Sequence, residues 1–182
     1  MDFFVYSRDA PGTAALRDDD ALLERHWSYM DAFAQSMIAR GPTLGPDRET
    51  ATGSLHVLGL PGVEAVHEFV AREPNQRAGL YAEHSLWRFE DLLGRTMWEF
   101  PCAAEGEPKF LIIARGRGPV PLASLSAELR ERLILYGALS ALDDAAPVGV
   151  ALAVQARNRD AVGALLEQGG AEIHDWDFGG RR

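Results

Sequence analysis

The amino-acid sequence predicts an α+β fold made of two consecutive βαββαβ units that pack sheet to sheet within one chain. Strand patterns and amphipathic helical patterns alternate in that order over the first part of the chain. The same order begins again later, although few residues are identical between the two parts. The strand patterns are apolar at nearly every residue, which indicates that both faces of each sheet are covered. The predicted units span residues 1–100 and 108–182, with a linker at 101–107.

The first unit begins with an apolar and aromatic strand pattern at residues 3–7, which ends in polar turn residues. A run of three aspartates at 18–20 predicts a helix start, because carboxylates cap the free N–H groups of a first turn. Residues 36–43 are compatible with the end of this helix or with an edge strand that leads into a Gly-Pro turn. The unit continues with a strand at 52–60, a helix at 62–72 and a strand at 83–89.

The second unit follows a stretch of small and acidic residues, which is typical of a linker. Its predicted elements are a strand at 109–114, a helix at 123–135, a weak strand at 137–142, a strand at 149–156, a helix at 159–168 and a strand at 171–178. Helices cover one face of each predicted sheet, and the other sheet is the simplest cover for the second face. The result is either a barrel or a sandwich, and a gap between the sheets is the predicted small-molecule site.

Composition excludes several classes of partner. The 182 residues include 18 Lys and Arg against 27 Asp and Glu, a net charge of −9. Nucleic acids and anionic membrane surfaces attract basic proteins, so neither is an expected partner. A single cysteine, Cys102, allows no internal disulfide. With no signal-peptide pattern at residues 1–9 and no apolar run of about 18 residues, we expect a cytoplasmic protein.

The histidines show no metal-binding spacing. His26, His56, His67, His84 and His174 form no His-x-His or His-x-x-x-His pair. The glycines and arginines at 115–118 lack the Lys-Ser/Thr of a phosphate-binding loop, so a solvated turn is expected there. The sequence therefore predicts neither a metal nor a cofactor.

His26 is the strongest candidate for chemistry. It falls on the apolar face of the first predicted helix, between Leu22 and Met30, and should point toward the sheet. A neutral imidazole, with a pKa of about 6.5, can accept a proton at neutral pH. From spacing alone, a core histidine bonded to a backbone carbonyl is the favoured interpretation.

The first half of the chain resembles the YCII-related family of small ferredoxin-like proteins, relatives of the dimeric α/β barrel enzymes. The resemblance rests on FFVYSRD at 3–9, on His26, on ARGPTLG at 39–45 and on EPNQRAGLY at 73–81, followed by EHSLWRF. Glu73 stands where the family pattern has an aspartate, and Asn75 where an aromatic is usual. The resemblance favours the strand interpretation of 36–43 and covers about the first 95 residues by motif, whereas the second half matches only in element order.

This resemblance implies that His26 pairs with an acid in a cofactor-independent lyase or isomerase reaction on a small, phenolic or other aromatic molecule. Glu73 is the best matching acid, and Asp9 is a second candidate whose alternative role is in a turn. A noncatalytic ligand-binding or accessory protein with a structural His26 is the alternative function. The residues expected to line the ligand site are Tyr6, Trp27, His56 and His84, with core packing as the alternative for Tyr6 and a helix-packed position for the two histidines.

Assembly and the number of sites follow from the repeat. The second unit has no histidine before His174, so one site per chain is expected, in the first half. The second half would then cover the first sheet, as a second subunit does in a single-copy relative. The resemblance thus implies that the two ferredoxin-like halves form an intramolecular pseudo-dimer α/β barrel. A homodimer of the tandem chain is a further possible partner, and a module that assembles through its edge strands is a third functional class.

Overall fold

A computed structural model of the chain describes residues 1–102, 104–116, 118–165 and 171–180. Eight strands and five α-helices follow each other along these residues, with three short 3₁₀ turns. The strands are β1 (Asp2–Asp9), β2 (Met37–Leu44), β3 (Ala51–Gly59), β4 (Tyr81–Asp91), β5 (Lys109–Arg115), β6 (Leu133–Ser140), β7 (Pro147–Gln155) and β8 (Ala171–Trp176). The helices are α1 (Asp20–Asp31), α2 (Val63–Arg72), α3 (Pro74–Arg77), α4 (Ala127–Arg132) and α5 (Arg159–Leu165). None of the helices in these ranges is long and apolar enough to cross a membrane.

The strands form one closed antiparallel barrel in the order β1-β3-β2-β8-β5-β7-β6-β4. The strands of the first half are neighbours in the order β4-β1-β3-β2, and those of the second half follow the corresponding order β8-β5-β7-β6. Two seams join the halves, where β2 pairs with β8 and β4 pairs with β6. The predicted α+β class is confirmed, and the strand pairing resolves the open choice between a barrel and a sandwich in favour of a barrel.

Alternate residues of each strand face the barrel interior and the helices outside it. On β1, Phe4 and Tyr6 pack into the interior, whereas Phe3 and Val5 pack against α1 and α2. Both sets are buried, which explains why the strand pattern is apolar at nearly every residue. The interior is filled by large side chains from both halves, among them Phe4, Tyr6, Leu55, Phe89, Leu111, Ile113, Leu139 and Trp176.

The cavity beside His26 does not lie between the sheets, where the sequence predicts a ligand site. Two sheets joined at their edges enclose one narrow interior, and in this barrel side chains occupy it. The cavity beside His26 lies on the opposite, outer face of the first-half sheet, where α1 covers β2 and β3.

The second half departs from its predicted helix. The pattern predicted a helix at 123–135, but α4 is only six residues long and β6 begins at Leu133. Every residue of β6 is buried, so its apolar run carries no alternation and also fits a helical spacing. α5 begins at Arg159 as predicted, and the positions 166–168 assigned to it lie outside the described residues.

Candidate functional site

Helix α1 directs His26 toward the sheet. The Asp19 carboxylate caps the helix by accepting hydrogen bonds from the N–H groups of Ala21 and Leu22, both at 2.9 Å. Leu22 and Met30 are buried on the inner face of the helix. His26 lies one turn from each of them, so the same face carries the imidazole into the space beneath α1. The predicted inward position of His26 is therefore observed.

Glu73 holds the imidazole of His26. It lies between α2 and α3, where its Oε2 accepts a hydrogen bond from the backbone N–H of Gln76 at 2.7 Å and caps α3. Its Oε1 lies 2.6 Å from Nδ1 of His26. Only 4% of the Glu73 side chain and 13% of the His26 side chain are exposed, so water competes little for this contact.

This contact selects one tautomer of His26. Because a carboxylate only accepts hydrogen bonds, the neutral form of this imidazole carries its proton on Nδ1 and a lone pair on Nε2. No residue in the described part of the chain forms a hydrogen bond with Nε2. The imidazole thus has an oriented basic nitrogen, backed by a buried carboxylate.

A cavity of about 590 Å³ lies beside His26. One wall comes from α1, with His26 and Trp27, and the floor from the outer faces of β2 and β3, with Ser54 and His56. The remaining wall comes from the second half, because residues 177–180 run antiparallel to β2 after β8 ends. The N–H of Gly179 donates to the carbonyl of Arg40 at 3.1 Å, which places Phe178 and Gly180 at the cavity.

Asp9 contacts a different partner from the one predicted. Its carboxylate accepts two hydrogen bonds from Arg17, at 2.7 Å and 3.0 Å, in a bidentate ion pair. Arg17 lines the cavity and also donates to Ser54 Oγ at 3.1 Å. Of the two acids considered for His26, Glu73 forms the contact, and Asp9 positions an arginine in the cavity wall.

Tyr6 and His84 do not line this cavity. Tyr6 faces the barrel interior, where its hydroxyl lies 3.4 Å from Nδ1 of His174 and burial raises its pKa. His84 lies on the outer face of the sheet beneath α3, with its ring nitrogens bonded to Ser7 Oγ at 2.8 Å and Gln76 Oε1 at 2.7 Å. Burial lowers the pKa of His84. The geometry thus favours core packing for Tyr6 and a helix-packed position for His84.

His56 combines both interpretations that the sequence left open. It lies on the helix-covered face, edge-on to His26 with 5.8 Å between ring centroids, and it also lines the cavity. Burial, reinforced by the positive charges of Arg40 and Arg17, lowers its pKa well below the ordinary value. His56 is therefore a neutral imidazole at physiological pH.

Several cavity residues were not predicted. Ser54 lies two residues before His56 on the same strand face, and period-2 spacing from a candidate histidine is a signal that would have found it. Arg17 and Arg40 gave no such signal, because the folding of a loop and a bulged strand brings them to the cavity. Phe178 comes from the other half of the chain, about 150 residues from His26 in sequence. Within the described ranges, no group of three or more His, Cys, Asp or Glu side chains could hold a metal ion.

Comparisons with known proteins match the first half of the chain to one family. The family model of the YCII-related domain matches residues 1–90. No curated protein gives a match to the chain.

The solved structures that are similar to this chain include the following three. A candidate monooxygenase from Lactobacillus acidophilus NCFM is 8% identical, with 97% of this chain and 93% of that chain covered and a TM-score of 0.51, and shares the fold. A 5-chloro-2-hydroxyhydroquinone dehydrochlorinase from Burkholderia phenoliruptrix AC1100, solved with 2,5-dihydroxybenzoquinone, is 29% identical over 50% of this chain and 95% of its own, with a TM-score of 0.45. An anthrone oxidase-like protein is 11% identical, with 96% and 89% covered and a TM-score of 0.46.

Proposed function

Since the chain belongs to the YCII-related family through its residues 1–90, we propose that it binds a small ring molecule beside His26 and transfers a proton on it. In this proposal the pair of His26 and Glu73 carries out a lyase or isomerase reaction without a cofactor. The observation that carries the proposal is the 2.6 Å contact between His26 Nδ1 and Glu73 Oε1 at the wall of the cavity.

The cavity suits a ring of modest size. Its volume of about 590 Å³ lies within the usual range for small-molecule sites. Trp27 and Phe178 offer aromatic surface, and Arg17, Ser54 and His56 offer polar groups that can fix the orientation of a ring substituent. These features support an aromatic or phenolic ligand.

Glu73 supplies the electrostatics of the proton transfer. When Nε2 of His26 takes a proton from the ligand, the imidazolium that forms lies against a buried carboxylate and is stabilised by it. In an isomerase reaction, the imidazolium returns this proton to a different atom of the ligand. In a lyase reaction, the electron pair left by the proton forms a double bond while the leaving group departs with its own bonding electrons. The imidazolium then gives its proton to the departed group or to solvent, which restores the neutral imidazole.

The test begins with a ligand screen. Phenols, hydroquinones and hydroxyquinones are titrated against the protein with tryptophan fluorescence as the readout, since Trp27 lines the cavity. Turnover of each bound compound is then followed by chromatography for the wild type and for His26→Asn, with His67→Asn as the control on the exposed side of α2.

We expect His26→Asn to lower kcat by about a hundredfold or more while the compound still binds. Equal turnover by the wild type and His26→Asn would contradict the catalytic role. Binding without turnover by the wild type would instead favour the noncatalytic ligand-binding function with a structural His26.

We also propose that the two halves are degenerate copies of one unit and form an internal pseudo-dimer, with boundaries at 1–100 and 108–182. The matching strand orders support this proposal. The strand register also supports it, because the β1–β3 pairing corresponds to the β5–β7 pairing. In this correspondence the outward positions Ser54 and His56 of β3 match Val150 and Leu152 of β7. The second half thus has apolar residues where the first half has the polar floor of the cavity, which agrees with one site per chain.

Limited proteolysis of the full chain tests the boundaries. Cleavage is expected first within 101–107, with two fragments that remain associated because the two barrel seams hold them together. First cleavage within either proposed unit would contradict the division. A cytoplasmic location and a homodimer of two such chains stay predictions from the sequence.

A further inference from the structure

Ser54 and His56 form a pair on the floor of the cavity. They are two residues apart on β3, so their side chains lie on the same face of the sheet. Only 5% of Ser54 and 4% of His56 is exposed, and both line the cavity beside His26. Buried polar side chains are usually satisfied by hydrogen bonds, so the partners of these two decide what the floor can bind.

Both lone pairs of the Ser54 hydroxyl accept hydrogen bonds from the protein, whereas its own proton is left without an acceptor among the residues that the structure describes. Its Oγ accepts one hydrogen bond from Nη2 of Arg17 at 3.1 Å and another from the hydroxyl of Tyr81 at 3.0 Å. Tyr81 in turn accepts from Nδ2 of Asn75 at 3.2 Å, which directs the tyrosine proton toward Ser54. Because a serine hydroxyl has two lone pairs and one proton, its own O–H is left for an acceptor in the cavity.

Tyr81 keeps this arrangement fixed. Burial, reinforced by the negative charge of Glu73, raises the pKa of Tyr81 to about 12, so its hydroxyl stays protonated at physiological pH. Arg17 is a donor under all conditions and is held by Asp9. Ser54 therefore acts as a donor toward the cavity throughout the physiological pH range.

His56 is a buried imidazole without a protein partner. Neither of its ring nitrogens forms a hydrogen bond with any part of the chain that the structure describes, and its neighbours His26 and Phe69 contact it as rings. A neutral imidazole carries one N–H donor and one acceptor. A ligand atom in the cavity is what would satisfy such a group, since leaving it unpaired costs free energy.

The charges around the floor favour an anion. Arg17 and Arg40 line the same cavity, and Arg40 is 6% exposed. The two carboxylates of the lining, Asp18 and Glu49, are exposed at its rim. Arg40 thus places positive charge where solvent is largely excluded, whereas water screens the two lining carboxylates. The charge of Arg17 is paired with the buried carboxylate of Asp9.

We propose that Ser54 Oγ–H and the N–H of His56 together bind an oxyanion of the ligand. The ligand class is then a ring hydroxyl that binds as a phenolate or an enolate. This inference rests on the proposed function and extends it. When Nε2 of His26 takes a proton from the ligand, the bonding electron pair stays on the ligand, and the floor binds the oxygen on which that negative charge collects.

Two probes of similar shape test the floor without a known substrate. 4-Nitrophenol binds as an oxyanion at a pH at which it is ionised, whereas 4-nitroanisole has a methyl ether at the same position and cannot ionise. Dissociation constants are measured by tryptophan fluorescence quenching. Their ratio isolates the contribution of the oxyanion to the binding affinity. The variants are Ser54→Ala and His56→Leu, the second of which copies the leucine that the second half has at this register.

The wild type should bind 4-nitrophenolate at least tenfold more tightly than 4-nitroanisole. Each variant should reduce that ratio by about tenfold, because a hydrogen bond to a charged group is lost. His56→Gln restores a side-chain N–H and should recover part of the ratio. Ser7→Ala is the matched control, since Ser7 is a buried serine on the same sheet face that bonds to His84 outside the cavity.

The outcomes separate this inference from the proposed function. Equal binding of the two probes by the wild type overturns the oxyanion site. An unchanged ratio in both Ser54→Ala and His56→Leu also overturns it, provided that circular dichroism shows intact folds. Either result leaves ring binding and His26 catalysis standing. Failure of the wild type to bind either probe overturns the oxyanion site and also counts against the proposed ring binding.

Discussion

Nδ1 of His26 and Oε1 of Glu73 lie 2.6 Å apart, and the same carboxylate caps helix α3 through its other oxygen. The cap holds the backbone of Glu73 at the start of α3, and from there the side chain reaches the imidazole of His26. The orientation of the His26 imidazole and the start of helix α3 thus depend on one residue. Substitutions at Glu73 can separate these two contributions.

Replacing Glu73 by aspartate should keep the cap and lose the contact with His26. Aspartate is a good N-cap residue, but its carboxylate is one C–C bond, about 1.5 Å, shorter. We expect the unfolding free energy in urea to fall by about 1–3 kcal/mol, because the buried contact with His26 is lost while the cap is kept. We also expect kcat on a compound from the ligand screen to fall by about tenfold or more.

Glu73→Gln serves as the comparison, because it keeps the length and removes the charge. Glu73→Gln should lower kcat strongly and the unfolding free energy less, since a neutral amide stabilises the imidazolium less well. Wild-type kcat for both variants would show that Glu73 has only its capping role.

Replacing Asp9 by asparagine should act on stability and binding more than on the chemical step. The ion pair of Asp9 with Arg17 is largely buried, with side chains 12% and 22% exposed, so its loss should cost about 2 kcal/mol of unfolding free energy. Arg17 would also lose its fixed position in the cavity wall. We expect KM to rise several-fold while kcat stays within about threefold of the wild type.

Asp18→Asn is the control for Asp9→Asn, because Asp18 is an exposed carboxylate at the same cavity and should change stability by less than about 0.5 kcal/mol. If Asp9→Asn instead abolished kcat at unchanged stability, Asp9 would belong to the proton-transfer machinery after all.

The sequence predicted the position of His26 better than its surroundings. Its spacing from Leu22 and Met30 is a local property of one helix, so the inward orientation could be predicted from the residues alone. Pairing with Glu73 could not, because a loop 47 residues later supplies the carboxylate. That pairing came from the resemblance to the family.

The residues whose place in the fold could not be predicted from the sequence share one physical cause. Tyr6 belongs to a strand that is apolar on both faces, so alternation gave no indication of which face it occupies. Leu133 begins a strand in which every residue is buried, and the same pattern fits a helix. The donor role of Ser54 depends on contacts with Arg17 and Tyr81, which are distant in sequence. Such contacts exist only after the barrel has closed.

One buried and two half-buried histidines should make the protein less stable in mild acid. Burial lowers the pKa of His56 well below its ordinary value and also lowers the pKa values of His84 and His174. At neutral pH these imidazoles are uncharged in the folded and the unfolded chain, so stability is at its full value. As the pH falls through about 6.5, the unfolded chain takes up protons that the folded chain resists, and the unfolding free energy decreases.

For His56 alone, the expected slope is about 1 kcal/mol per pH unit between about pH 6 and pH 5. Urea unfolding at a series of pH values measures it. His56→Leu should flatten the curve by that amount, whereas Ser54→Ala should keep the wild-type slope. The same slope in His56→Leu and the wild type would show that this imidazole charges as readily in the folded state as in the unfolded one.

Gly41 controls how the second half closes the cavity. A Cβ at this position would overlap the carbonyl oxygen of Asp177, so the segment at 177–180 must shift to accept Gly41→Ala. That segment carries Phe178 and Gly180 to the cavity. We expect Gly41→Ala to lower the unfolding free energy by about 1–3 kcal/mol and to weaken binding of 4-nitrophenolate by about tenfold.

Gly137→Ala is the matched control at the other barrel seam. A Cβ there would overlap the ring of Phe89 and the carbonyl oxygen of Glu90, so a loss of stability similar to that of Gly41→Ala is expected. Because this seam does not line the cavity beside His26, affinity for the probe should stay at the wild-type value. Equal affinities for the two variants would mean that residues 177–180 contribute nothing to binding, and the second half would then act only by completing the barrel.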